Sequence, residues 1–220
     1  VAGMGADLFE SYAGSIIAPI SLVAFAGIGG VALEAQDAGL DQVLPLLMFP
    51  IAIAFVGMIA SIIGSFLVKG GDSTDSHALS RALHMGTNVA MGITAVGTVG
   101  VAYWLFNDGD LFEKQWGLAL SVIGGLVVGW ALGKTAEYFT SDHYGPVKKI
   151  ARQSETGPAT TILGGISTGR VSVAASVGLI VAGVGIAYWG GEQTLGDGGG
   201  IYGIAVAAIG MLATTGVVVS

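Results

Sequence analysis

The sequence predicts an all-α integral membrane protein with six transmembrane helices. Two observations carry this. Only 10% of the 220 residues are charged, against 53% hydrophobic, whereas a soluble domain carries about 25% charge. Six runs contain no charged residue at all: 11–33, 42–68, 82–107, 115–133, 171–191 and 198–220. Each is near or above the ~20 apolar residues that a spanning helix needs. None alternates apolar with polar residues, as the ~10-residue strands of a membrane barrel do. The expected spans are 3–33, 42–68, 82–107, 115–137, 160–190 and 199–220, with a cytoplasmic loop at 138–158.

The composition excludes several function classes. A net charge of −7 without a basic run argues against nucleic-acid binding. The absence of cysteine removes disulfide scaffolds, thiolate metal sites and cysteine nucleophiles. Thirty-eight glycines without a Gly-X-Y period point to closely packed membrane helices. Val1 follows no initiator Met and no charged leader, and Ser220 ends an apolar run. The chain therefore reads as a piece of a longer protein, one membrane domain over 1–220 that is incomplete at both ends.

Each span has its own signature. The first contains Gly27-Ile28-Gly29-Gly30, but this lies deep in an apolar run with no following Lys, so it is not a phosphate loop. The second carries Gly57, Ser61 and Gly64 at near-helical spacing. The third opens on Arg81 and His84 and closes on Tyr103 and Trp104. The fourth carries Gly117, Ser121, Gly125, Gly129 and Gly133, each four residues from the next. Such a stripe lets backbones approach closely. It could serve ordinary packing within the chain, a sliding surface or a homodimer seam. The fifth has Ala174, Gly178 and Ala182, and Arg170 near its start. A lone Arg there is expected to snorkel. Tyr188, Trp189 and Tyr202 flank the last connection, where amphipathic rings mark a membrane interface.

Residues 138–158 form the one long loop. Pro146, then Lys148, Lys149 and Arg152, then Gly157-Pro158 outline a short surface helix at 147–153, stopped before Pro158. Its basic residues could anchor the chain to the inner surface or meet an anionic lipid or substrate. Lys69, Arg81, Lys134, Lys148, Lys149, Arg152 and Arg170 fall at one set of helix ends, and Lys114 alone at the other. The positive-inside rule makes the first set, and both ends of the chain, cytoplasmic.

Charged groups within spans are the default functional sites of a membrane protein. Here they are Asp7 and Glu10, three residues apart and so on one helix face, with Ser11 beside them. Two carboxylates and a hydroxyl could bind Na⁺ through oxygen or relay a proton. Alternatively, acids at a helix start complement its dipole. The apolar residues 1–6 favour a helix that begins before Asp7. His77, His84 and His143 show no metal-ligand spacing, and no nucleophile elbow is present.

Two segments carry a resemblance. Gly3-Met4-Gly5-Ala6-Asp7-Leu8-Phe9-Glu10-Ser11-Tyr12 resembles the GMGADLFESY segment of the membrane-integral inorganic pyrophosphatases, ion pumps energised by pyrophosphate. Glu137-Tyr138-Phe139-Thr140-Ser141, then Tyr144, Pro146 and Val147, then Ser154-Glu155-Thr156-Gly157-Pro158-Ala159-Thr160, is similar to the family's TEYYTS…Y-x-PV…SQTGPATN loop. Thr161 stands where the family usually has Asn, and Ala136 where Thr is common.

The resemblance implies a fold of sixteen transmembrane helices in two rings, normally a homodimer, of which these six are the sixth to the eleventh. It implies hydrolysis of Mg²⁺-bound pyrophosphate at the cytoplasmic face, coupled to movement of Na⁺ or H⁺, with K⁺ as an activator of some members. The family's hydrolytic and substrate-binding aspartates fall outside this chain, so no catalytic or substrate-binding residue is expected within it. Asp7 matches the family's gate aspartate and Glu10 its semi-conserved glutamate, their partner being a lysine on the sixteenth helix. For a sodium pump, Asp7 and Glu10 are then the Na⁺ ligands, with Ser11 in the gate. The glutamate's position and Gly14-Ser15-Ile16 lean toward Na⁺ over H⁺. The expected setting is the cell membrane of a prokaryote. The competing readings are a secondary transporter or channel without hydrolysis, and a membrane subunit that only packs.

Overall fold

Proline and glycine shape the connections near residues 144–158 and 196–198. The computed structural model describes residues 2–25, 40–68, 76–106, 116–196 and 198–213. The helices are α1 (Ala2–Phe25), α2 (Leu40–Leu67), α3 (Ser76–Phe106), α4 (Trp116–Thr140), α5 (Gly145–Ser154), α6 (Pro158–Leu195) and α7 (Gly199–Leu212). No strand occurs among the described residues. The fold is all-α, as composition and run length require.

Four stretches are long and apolar enough to cross a membrane among the described residues: Val43–Leu67, Ala82–Phe106, the one opening at Trp116, and Pro158–Leu195. The other two expected spans correspond to α1 and α7. Residues 26–33 and 214–220, assigned to those spans from the sequence, lie outside the described residues, as do Lys69 and Lys114. The helix α6 has 38 residues, about 57 Å at 1.5 Å per residue, well beyond a ~30 Å hydrocarbon core.

The surface helix expected at 147–153 is α5. Pro146 occupies its first turn, where the missing N–H is harmless. Gly157, at φ 130°, makes the sharp exit that only glycine adopts without strain. Pro158 then opens α6. The turn is tied by hydroxyls: Thr160 and Thr161 both donate to the Gly157 carbonyl, and Thr156 to that of Gln153. Between α6 and α7, Gly196 and Gly198 both take positive φ, which reverses the chain within a few residues.

The chain divides into two compact units, Val1–Leu126 with Gly185–Ser220, and Val127–Val184. In the first, α7 lies against α1 and α2, and α2 lies along α3. Phe49, Ile53, Phe106, Leu118, Val122, Tyr202, Val206 and Ile209 fill its core. Part of the fourth-span stripe packs inside this unit. The Ser121 hydroxyl donates to the carbonyl of Ala187 at 2.9 Å. A Cβ added to Gly117 would meet the Gly190 carbonyl, and one added to Gly125 the carbonyl of Ala207. Where lipid supplies no hydrophobic drive between helices, such backbone approach is what dispersion needs. On α2, Gly57 lies against Ala213 and the Tyr12 hydroxyl, and Ser61 donates to the Ala213 carbonyl at 3.0 Å.

One expectation needs correction. Tyr202 is not an interfacial ring; it is fully buried. Tyr188 and Trp189 are exposed, as are Tyr103, Trp104 and Trp116, and Trp116 meets Trp189 edge to face at 6.0 Å.

The second unit holds the end of α4, α5 and most of α6. The Tyr138 ring meets Phe139 edge to face at 5.1 Å and lies tilted against Tyr144 at 5.3 Å. The Lys134 ammonium lies 3.1 Å from Glu137, one turn on. The stripe Ala174, Gly178 and Ala182 is exposed.

Candidate functional site

The helix α1 has two unlike faces. Ser15, Pro19 and Val23 are buried and Tyr12 is half-buried beside them. The Tyr12 hydroxyl donates to the Ala54 carbonyl of α2 at 2.7 Å, and Ser15 donates to the Tyr12 carbonyl. These contacts fix the rotation of α1 about its axis. That rotation leaves Asp7, Glu10, Ser11, Gly14 and Ile17 exposed. Residues at i, i+3, i+4, i+7 and i+10 form one continuous face. The acids and the hydroxyl therefore stand together on the side of α1 opposite its packing contacts.

The depth of the acids in the helix matters. The chain is already helical at Ala2, and the first turn of α1 carries no acid. The helix dipole acts within about the first turn. Asp7 lies beyond that, so complementing the dipole does not account for the pair. Neither Asp7 nor Glu10 makes a hydrogen bond or ion pair among the described residues.

Chemically, the face offers carboxylate and hydroxyl oxygens, the donor type that suits a hard cation or a proton. Among the described residues no three His, Asp or Glu side chains gather as a metal site. No step through Mg²⁺ is assigned to these residues.

Other singled-out residues lie elsewhere. Arg170 is exposed on α6 and His84 is half-buried on α3. His143 lies 3.5 Å from Asp142 in the turn before α5. The pairing of Lys134 with Glu137 escaped the sequence reading, although their spacing of three on a helix was the available signal.

The profile of the family described as inorganic H⁺ pyrophosphatase matches residues 1–220, the whole chain. The chain belongs to this family. Among its relatives, a protein of Clostridium tetani named as a K⁺-stimulated pyrophosphate-energised sodium pump is 39% identical, covering 100% of this chain and 29% of the relative. A protein of Bacteroides thetaiotaomicron with the same name is 36% identical, over 99% of this chain and 28% of its own length. A K⁺-insensitive pyrophosphate-energised proton pump of Moorella thermoacetica is 37% identical, over 97% and 29%. The chain thus spans about 29% of the length of the relatives it matches. With its long apolar helices and its membrane-pump relatives, the chain belongs to a multi-pass membrane protein. The two motif segments had implied the same family.

Proposed function

We propose that the whole protein hydrolyses pyrophosphate and uses that reaction to move a cation across the membrane. One water adds across the P–O–P bridge and two phosphates leave. Within this chain, Asp7, Glu10 and Ser11 form the gate through which the ion passes. The observation that supports this reading best is the two-faced helix α1, in a chain that matches the pyrophosphatase family from end to end. Carboxylates within a membrane helix are rare and mark ion pathways. Mg²⁺ accompanies the pyrophosphate, held by residues outside this chain. K⁺ is an activator if the protein follows its K⁺-stimulated relatives. The protein acts as a homodimer in the cell membrane, with 138–158 and both ends of the chain on the cytoplasmic side. Na⁺ is favoured as the cargo because the relatives at 39% and 36% identity carry sodium-pump names.

The test is Asp7→Ala in the full-length protein, reconstituted in vesicles. Ion uptake driven by pyrophosphate should disappear. Uptake at the wild-type rate would remove Asp7 from the gate.

A further inference from the structure

Apart from the gate, the second unit contains a polar groove of about 310 Å³ between α5 and α6. Lys149 and Gln153 line it from α5, and Thr160, Leu163, Gly164, Ser167 and Thr168 from α6. No carboxylate is among the lining residues.

The groove brings together the Lys149 ammonium and the Ser167 and Thr168 hydroxyls, donors without an acceptor among the described residues. Several helical threonines donate to the carbonyl four residues back: Thr87, Thr94, Thr98, Thr135 and Thr140. Ser167 and Thr168 make no such bond among the described residues, and the Lys149 ammonium has no acidic partner there. Gln153 forms one wall of the groove; its side-chain oxygen is enclosed and accepts no hydrogen bond among the described residues. It lies against Gly164, where a Cβ would collide with it. Glycine at 164 thus makes room for that oxygen.

One ammonium and two free hydroxyls have the composition of an anion site, and Lys149 repels a cation. Lys148 and Arg152, both exposed on α5, add positive potential, with Glu155 at the helix end as the nearest carboxylate in sequence. Ile162, Leu163 and Ile166 are exposed on α6 alongside, which offers an acyl chain a surface.

We propose that the groove between α5 and α6 binds a phosphate group through Lys149, Ser167 and Thr168. The phosphate belongs either to an anionic lipid headgroup or to a free phosphate. The site is separate from the gate, and its test is binding rather than turnover, so it does not depend on the pump reading.

The experiment uses the full-length protein, delipidated in detergent. Native mass spectrometry follows binding of dimyristoyl phosphatidylglycerol, with the phosphatidylcholine analogue as control. Calorimetry follows inorganic phosphate. Lys149→Ala should weaken binding of one of these probes about tenfold, the scale of a lost charged hydrogen bond, and Lys149→Arg should restore most of it. The pair Ser167→Ala with Thr168→Val should weaken the same probe. Loss confined to phosphatidylglycerol assigns a lipid headgroup; loss confined to inorganic phosphate assigns a free ligand. Wild-type affinity for both probes in Lys149→Ala, with an unchanged unfolding midpoint, would overturn the proposal.

Discussion

Tyr202 donates its buried hydroxyl to the carbonyl of Leu46 at 2.7 Å. That carbonyl is the one that Pro50, four residues on and lacking an N–H, leaves without its helical partner. A tyrosine on α7 thus repairs the defect that a proline makes in α2. In an apolar interior an unpaired carbonyl has no water to turn to. Tyr202→Phe in the full-length protein should therefore lower stability by about 1–3 kcal/mol. Tyr12→Phe is the control. Its acceptor, the Ala54 carbonyl, keeps the Met58 amide as its helical partner, so the loss should be about 0.5–1.5 kcal/mol. Thermal unfolding in detergent measures both; equal losses would contradict the role given to Pro50.

Gly125 faces the Ala207 carbonyl so closely that no methyl group fits between them. Gly125→Ala should force α4 and α7 apart and destabilise the protein by about 1–3 kcal/mol, the usual range for overpacking. Gly133→Ala, on the same helix with open space around it, should leave the unfolding midpoint within experimental error.

Glu10 stands one turn from Asp7 on the exposed face of α1. If both acids hold Na⁺ in the gate, Glu10→Gln should raise the Na⁺ concentration for half-maximal pyrophosphatase activity about tenfold, the scale of one charged contact. Unaltered Na⁺ dependence would leave Asp7 as the single acid of the site.

Cargo is decided by titration of the intact pump. At fixed K⁺, pyrophosphatase activity should rise with Na⁺, and pyrophosphate should drive Na⁺ into vesicles. Acidification of vesicles without sodium activation would assign H⁺ instead.

Much of the fold was legible because membrane helices advertise themselves. A run of 27 uncharged residues such as 42–68 has few alternatives to a helix in lipid. The short helix α5 was legible from Pro146 and from the break at Gly157-Pro158. Asp7 and Glu10 stood out for the complementary reason: charge is rare in such runs, because each one is costly to hold there.

Sequence alone thus determined the helical class, the long apolar segments, the family motifs and the identity of the two acids. Tertiary structure decided which faces are used. Small-residue stripes look alike in one dimension. Yet Gly117, Ser121 and Gly125 meet carbonyls of α6 and α7, while Ala174, Gly178 and Ala182 stay exposed. The Tyr202 ring reads as interfacial until its acceptor, 156 residues away, is known. The face that carries Asp7 is set by the bond from Tyr12 to Ala54 on another helix. The reason is the same in each case. Apolar content and charge are properties of one segment, whereas a satisfied carbonyl or a close backbone approach belongs to two segments that only folding brings together.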